Sequence, residues 1–236
     1  MLTINVKHNI DAVVSRLNDL QRRHVPSAIA RALTSTAKEV RKAEVEEMKR
    51  VFDRPTPFTL HSLDLKPAWK ADLTAKVWFK DLNRPEHYLV PQIRGGERLP
   101  KRFEEHLRRA GILPKDQVAV PGGGARLNKY GNMSAGQITQ ILSALGAHPD
   151  PYAHSKRRSR VRIGLWRGYF VGRPGGGRLP LGVWEKRGNK LLPVLIFVKR
   201  PHYAQRFLFY DIGKRVALRE FPKQFNLALQ QALSSR

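Results

Sequence analysis

The sequence predicts an α+β fold. A long N-terminal amphipathic helix packs on a small, mostly antiparallel sheet, with a helical and loop-rich insertion and a closing C-terminal helix. Three observations predict it. Ile29, Leu33, Ala37, Val40, Met48 and Val51 recur at threes and fours, the period of a helix with one buried face. Leu73, Ala75, Val77 and Phe79 alternate with Thr74, Lys76, Trp78 and Lys80, the two-residue period of a half-buried strand. The overall order of helix, strands, helical segments, strands and helix is segregated rather than alternating, which suits α+β layers.

Taken in order, residues 10–24 suit a short helix through Val13, Leu17 and Leu20, and Pro26 is expected to break it and open a new one. From Ser27 to Phe52 no Gly or Pro interrupts the pattern, so one long helix is expected. Its Glu44, Glu46 and Glu47 sit among lysines and arginines and read as a solvated face. Pro55 and Pro57 stop the helix. "SLDLKPAW" and "LTAKVWFKD" then form a hairpin around "KADL". Two short helices follow. One starts near Pro100 and ends at Gly111; the other has Ser134 as N-cap and Gly146 as its stop. Gly146–Arg162 is basic, poor in apolar residues and expected to be a mobile loop. "LGVWEKRGNKLLPVLIFVKRP" reads as two strands around Gly188–Asn189, the second central in its sheet. After Tyr210 a closing helix is expected, kinked or broken near Phe221 by Pro222. The expected organisation is 1–83 for the first part of the core, 84–170 for an insertion, and 171–236 for strands and a helix that complete the core.

Charge is the strongest global signal. The chain holds 44 Lys and Arg against 19 Asp and Glu, a net +25. Residues 151–236 alone hold 19 basic and 3 acidic side chains. Such a field attracts polyanions, and both free nucleic acid and an acidic protein surface remain open as partners. Cysteine is absent, which excludes disulfides, thiolate metal sites and a cysteine nucleophile. No apolar run is long enough to span a bilayer and the N-terminus lacks the features of a signal peptide, so no membrane partner is expected.

Two glycine-rich stretches, "VPGGGARL" and "GRPGGGRLPLGVW", invite comparison with phosphate loops. Neither is followed by Lys-Ser or Lys-Thr, and neither lies between a strand and a helix in the dinucleotide pattern. Gly122, Gly123, Gly124, Gly175, Gly176 and Gly177 are therefore read as flexible loops. The eight histidines form no H-x-x-x-H pair, and the carboxylates are scattered. No catalytic residue, cofactor or metal site is expected. "SKRRSRVRIGLWRGYF" places Lys156, Arg157, Arg158, Arg160 and Arg162 ahead of Trp166, Tyr169 and Phe170. The cations are the candidate polyanion contact, and the rings could stack on bases or pack in a core.

The arrangement of "SAIARALTSTAKEVRKAEVEEM", the "RPTPFTL" corner, the "GVWEKRGNKLLPVLIFVKRPHY" hairpin and "ALQQAL" resembles the minor tail protein Z and tail-completion (head–tail joining, neck) proteins of tailed bacteriophages. These stretches cover roughly half of the chain, and the insertion departs from the compact family pattern. The resemblance implies a structural virion protein of the tail or neck, assembled in the host cytoplasm as a homo-oligomeric ring. Its neighbours would be portal, connector or tail-tube proteins, and double-stranded DNA would pass non-specifically through the channel. The family offers no catalytic residues to carry over. The alternative is a stand-alone, basic, non-specific nucleic-acid-binding or packaging accessory protein.

Overall fold

The computed structural model describes residues 1–5, 19–80, 86–150 and 168–234. In chain order they form β1 (Leu2–Asn5), α1 (Asp19–Val51), α2 (Pro57–Leu60), β2 (Leu63–Lys66), β3 (Thr74–Phe79), α3 (Val90–Arg94) and β4 (Gly96–Glu97). Then come α4 (Arg102–Arg109), β5 (Gln117–Pro121), α5 (Ala135–Ala144), β6 (Tyr169–Gly172), β7 (Gly182–Arg187), β8 (Lys190–Lys199), β9 (His202–Tyr203) and α6 (Phe209–Ser234). The fold is α+β, and the chain divides into two units.

The first unit joins Met1–Gly95 to Ala204–Arg236. Its sheet has the order β1-β3-β2, antiparallel throughout. Apolar stripes along α1 and α6 meet β3: Leu33, Ala37, Val40 and Met48 pack with Ala75, Val77, Phe207, Phe209, Ile212 and Val216. Aromatic edges lock this core, with Phe52 and Phe207 centroids 5.7 Å apart and Phe79 and Phe209 5.2 Å apart. Further along the helix pair, Ala28 and Ala32 meet Ala228 and Ala232. Small side chains let the two backbones approach there, and Phe221, Phe225 and Leu229 pack around the contact.

Pro26 does not open a new helix as expected, and Pro222 does not break one. Pro26 lies inside α1 and Pro222 inside α6, and both helices run through them. An interior proline removes one backbone hydrogen bond, but the flanking residues are held by packing. Val25 and Ile29 enter the core beside Pro26. Phe221 and Phe225 stack at 6.0 Å across Pro222 and pack on the alanine contact.

The second unit spans Gly96–Tyr203. Its ends lie side by side, because β4 pairs with β9 through Gly96↔Tyr203 and Glu97↔His202. It contains a four-stranded antiparallel sheet in the order β5-β8-β7-β6. The Gly188–Asn189 hairpin forms as the sequence predicts, with Gly188 at φ 57°, and β8 is central. The two short helices also form, each ending near a glycine of positive φ, Gly111 at 70° and Gly146 at 69°. Leu107 of α4 and Ile141 and Leu142 of α5 cover Ala119, Val183, Leu195 and Phe197 of the sheet.

This core corrects the expected organisation of 1–83, 84–170 and 171–236. The strands after residue 171 do not complete the core around α1. β5, from the expected insertion, pairs with β8 in the register Ala119↔Phe197, so the apolar hairpin belongs to the second unit. Only α6 returns to the first.

Candidate functional site

The basic run Lys156, Arg157, Arg158, Arg160 and Arg162 lies outside the described residues, as does most of the expected mobile loop. The two glycine stretches are described, and the structure separates them.

Gly122–Gly124 is not a free hinge. The Gly122 amide donates to the Val194 carbonyl at 3.0 Å and the Gly124 amide to the Pro193 carbonyl at 2.8 Å, so the stretch prolongs the pairing of β5 with β8. A Cβ on Gly122 would collide with the Pro193 carbonyl, and one on Gly124 would press on the Leu192 side chain. Glycine is required here for close backbone approach. Gly123 alone faces open space. The buried Gln137 side chain fixes the loop from α5, donating to the Gly124 carbonyl at 3.2 Å and accepting from the Arg126 amide at 2.6 Å. Ser134, as N-cap, accepts from the Gln137 amide at 3.3 Å and sets the helix position.

Gly175–Gly177 is the opposite case. All three glycines have positive φ, at 67°, 66° and 86°. They form an exposed turn between β6 and β7. A Cβ on Gly176 or Gly177 would meet nothing within 4 Å, so glycine serves backbone conformation there rather than space.

The second unit contains a buried ion pair that composition conceals. Arg98 donates to both Glu104 oxygens at 2.7 Å. The same carboxylate accepts from the Lys101 amide at 2.6 Å and the Ala119 amide at 2.9 Å. Burial alone would raise the Glu104 pKa, but the bonds from Arg98 and the two amides hold it below the ordinary value. The Glu104 side chain thus ties the start of α4 to β5.

The first unit contains a buried acid that the sequence reading misplaces. Glu46 and Glu47 pair with Lys49 and Arg50 at the surface, as a solvated face requires. Glu44 is fully buried instead, with neither carboxyl oxygen hydrogen-bonded. Loss of hydration, reinforced by Glu47, pushes its pKa up to about 9, opposed by the Gly213 backbone of α6. Glu44 is therefore neutral at pH 7. Its helical position beside buried Val40 and Met48 was the available signal, and the charged neighbours masked it.

A second shielded titratable group of the same unit is His87, which is half-buried. The His87 ring stacks on Phe79 at 4.7 Å and Tyr88 at 4.4 Å. Nδ1 accepts from the Leu89 amide at 3.3 Å, which places the proton on a buried Nε2 that has no partner. Burial lowers the His87 pKa to about 4. Tyr88 in turn stacks on Phe58, which is 61% exposed.

Among the described residues, no group of three or more His, Asp or Glu is placed to hold a metal ion. No described helix is long and apolar enough to cross a membrane. Charged side chains gather at several places on the described surface. On α6 a shallow, open depression is lined by Asp211, Lys214, Arg215, Leu218 and Arg219, with Leu218 69% exposed. In the second unit, Lys186, Arg187 and Lys190 surround one turn and Arg173 and Arg178 flank the other. No family model, curated protein or solved structure matches this chain.

Proposed function

We propose that this protein is a structural subunit of a tailed-phage virion, acting in tail completion or head–tail joining. In this reading the first unit is the body that assembles into a ring with copies of itself, against portal, connector or tail-tube proteins. The second unit is an inserted arm that presents positive charge to DNA.

The observation that carries the reading is the insertion architecture with its uneven charge. Unit two holds 21 basic and 6 acidic residues, +15 of the chain's +25. It has its own core, and its chain crossings are clasped together by β4 and β9. A compact module with its own core and this balance holds a polyanion through non-specific phosphate attraction and needs no sequence readout. Exposed apolar side chains on α6, Leu218, Leu227 and Leu233, suit contact with neighbouring subunits.

The test is a copy count. Quantitative mass spectrometry of purified, DNA-filled virions measures this chain against the portal protein. A small fixed ratio, set by ring symmetry, is the expected result. Absence from the virion would overturn the reading. The net charge of +25 also favours a second reading, a stand-alone DNA-binding or packaging accessory protein. That protein would stay monomeric and bind DNA tightly with a steep salt dependence, whereas the structural subunit forms symmetric oligomers.

A further inference from the structure

The geometry points to the turn Arg173–Arg178, with Lys199 and Lys115 at the same end of the sheet, as a clamp for the phosphate backbone of duplex DNA. This inference rests on the reading of the second unit as the DNA-facing arm, and it names the contact.

The backbone supplies half of the site. The turn is left-handed through Gly175–Gly177 and closed by the Gly177 amide donating to the Arg173 carbonyl and the Leu179 amide to the Pro174 carbonyl, both at 3.3 Å. Pro174 has no N–H, and among the described residues the amides of Gly175 and Gly176 donate to no protein acceptor. Two consecutive donors are therefore left at an exposed tip, and successive N–H groups in a turn form an anion-binding concavity.

The side chains supply the rest. Arg173 and Arg178 bracket the turn, both exposed, and neither has an ion-pair partner among the described residues. Gly172↔Gly182 and Gly182↔Ile196 place the turn at the end of the sheet where β8 finishes in Lys199. Lys199 pairs across to Gln117, two residues beyond Lys115. The acids at this end are Asp116, which is exposed, and Glu97, which bonds to Arg200 at 3.2 Å. At the opposite end, Arg187 is engaged by Glu185 at 2.7 Å. Paired arginine forks and free amides match tetrahedral phosphate oxygens. The turn is exposed rather than enclosed, so it suits a continuous backbone rather than a buried nucleotide.

The experiment titrates the full chain against a fluorescein-labelled, mixed-sequence duplex by anisotropy across a salt series. Arg173→Gln/Arg178→Gln should weaken binding about tenfold and flatten the log–log salt slope by about 1.8, the value for two phosphate contacts. Lys186→Gln/Lys190→Gln removes the same charge from the other end and should keep the wild-type slope. Replacing Gly175–Gly177 with alanine, with both arginines kept, should weaken binding about threefold, since L-residues resist positive φ. Equal losses in the two charge variants overturn the clamp. So does an unchanged arginine variant, a wild-type chain that binds no duplex, or tighter binding to polyglutamate than to DNA. If virions contain the chain at a ring ratio while the arginine variant binds like wild type, only the clamp fails. If virions lack the chain while the arginine variant loses binding, the clamp stands and the virion role falls.

Discussion

The Glu104 carboxylate is completely enclosed and takes two 2.7 Å bonds from the Arg98 guanidinium, whose own side chain is only 16% exposed. Breaking such a pair from one side leaves a buried charge without compensation, at a cost of about 3–5 kcal/mol. Glu104→Ala should therefore lower the urea midpoint of the second unit sharply. Arg98→Met/Glu104→Leu should recover only part of the loss, because the Lys101 and Ala119 amides then lack an acceptor. Full recovery would show that those amide bonds contribute nothing. The pH dependence follows from the depressed pKa. The stabilisation is present above the unfolded carboxyl value and is lost as pH falls through the folded one.

Glu44 has the opposite sign. Its folded pKa of about 9 lies above the ordinary 4.5, so the folded chain keeps a proton that the unfolded chain releases. Stability therefore falls as pH rises between these two values. Glu44→Gln removes the titration and should be more stable than wild type by about 1–3 kcal/mol at pH 7. The gap should close near pH 4. Thermal unfolding of both proteins across pH measures it, and a constant gap would mean that Glu44 is ionised in the fold.

His87 limits the same unit from the acid side. Its folded pKa of about 4 lies below the ordinary 6.5, so between these values the unfolded chain binds a proton that the folded chain does not. Stability is lost as pH falls through this window, by about 1–3 kcal/mol. His87→Phe keeps a ring between Phe79 and Tyr88 but cannot titrate. Its stability should be flatter from pH 7 to pH 4 than that of wild type. A parallel profile would rule out this source of acid sensitivity.

The first glycine stretch offers a test by contrast. Gly122→Ala drives a methyl group into the Pro193 carbonyl and should cost about 1–3 kcal/mol. Gly123→Ala meets nothing and should stay within about 0.5 kcal/mol of wild type. Chemical denaturation of the two variants decides between a packed strand extension and a hinge, since a hinge would tolerate both equally.

The sequence alone determined the fold class and the most strongly patterned local elements. The three-and-four spacing of Leu33, Ala37 and Val40 specified α1, the alternation through Ala75 and Val77 specified β3, and Gly188–Asn189 specified the hairpin. Each signal is contained in a few neighbouring residues, because secondary-structure period and turn chemistry are local properties. The same reading recognised the positive charge and placed its excess in the last third.

What depended on distant partners only the tertiary structure decided. The pairing of β5 with β8 moved the apolar hairpin into the second unit, and a strand does not carry the identity of its neighbour. Pro26 and Pro222 stayed inside helices because tertiary packing beside them outweighed a missing hydrogen bond. "PGGG" occurs twice with different meanings: Gly122 and Gly124 lie against the β8 backbone, whereas Gly175–Gly177 turn freely with positive φ. Glu44 and Glu47 are three residues apart on one helix, yet α6 covers the first and leaves the second beside Arg50. Charge, conformation and role at these positions follow from what lies across the fold, which the linear order of residues does not contain.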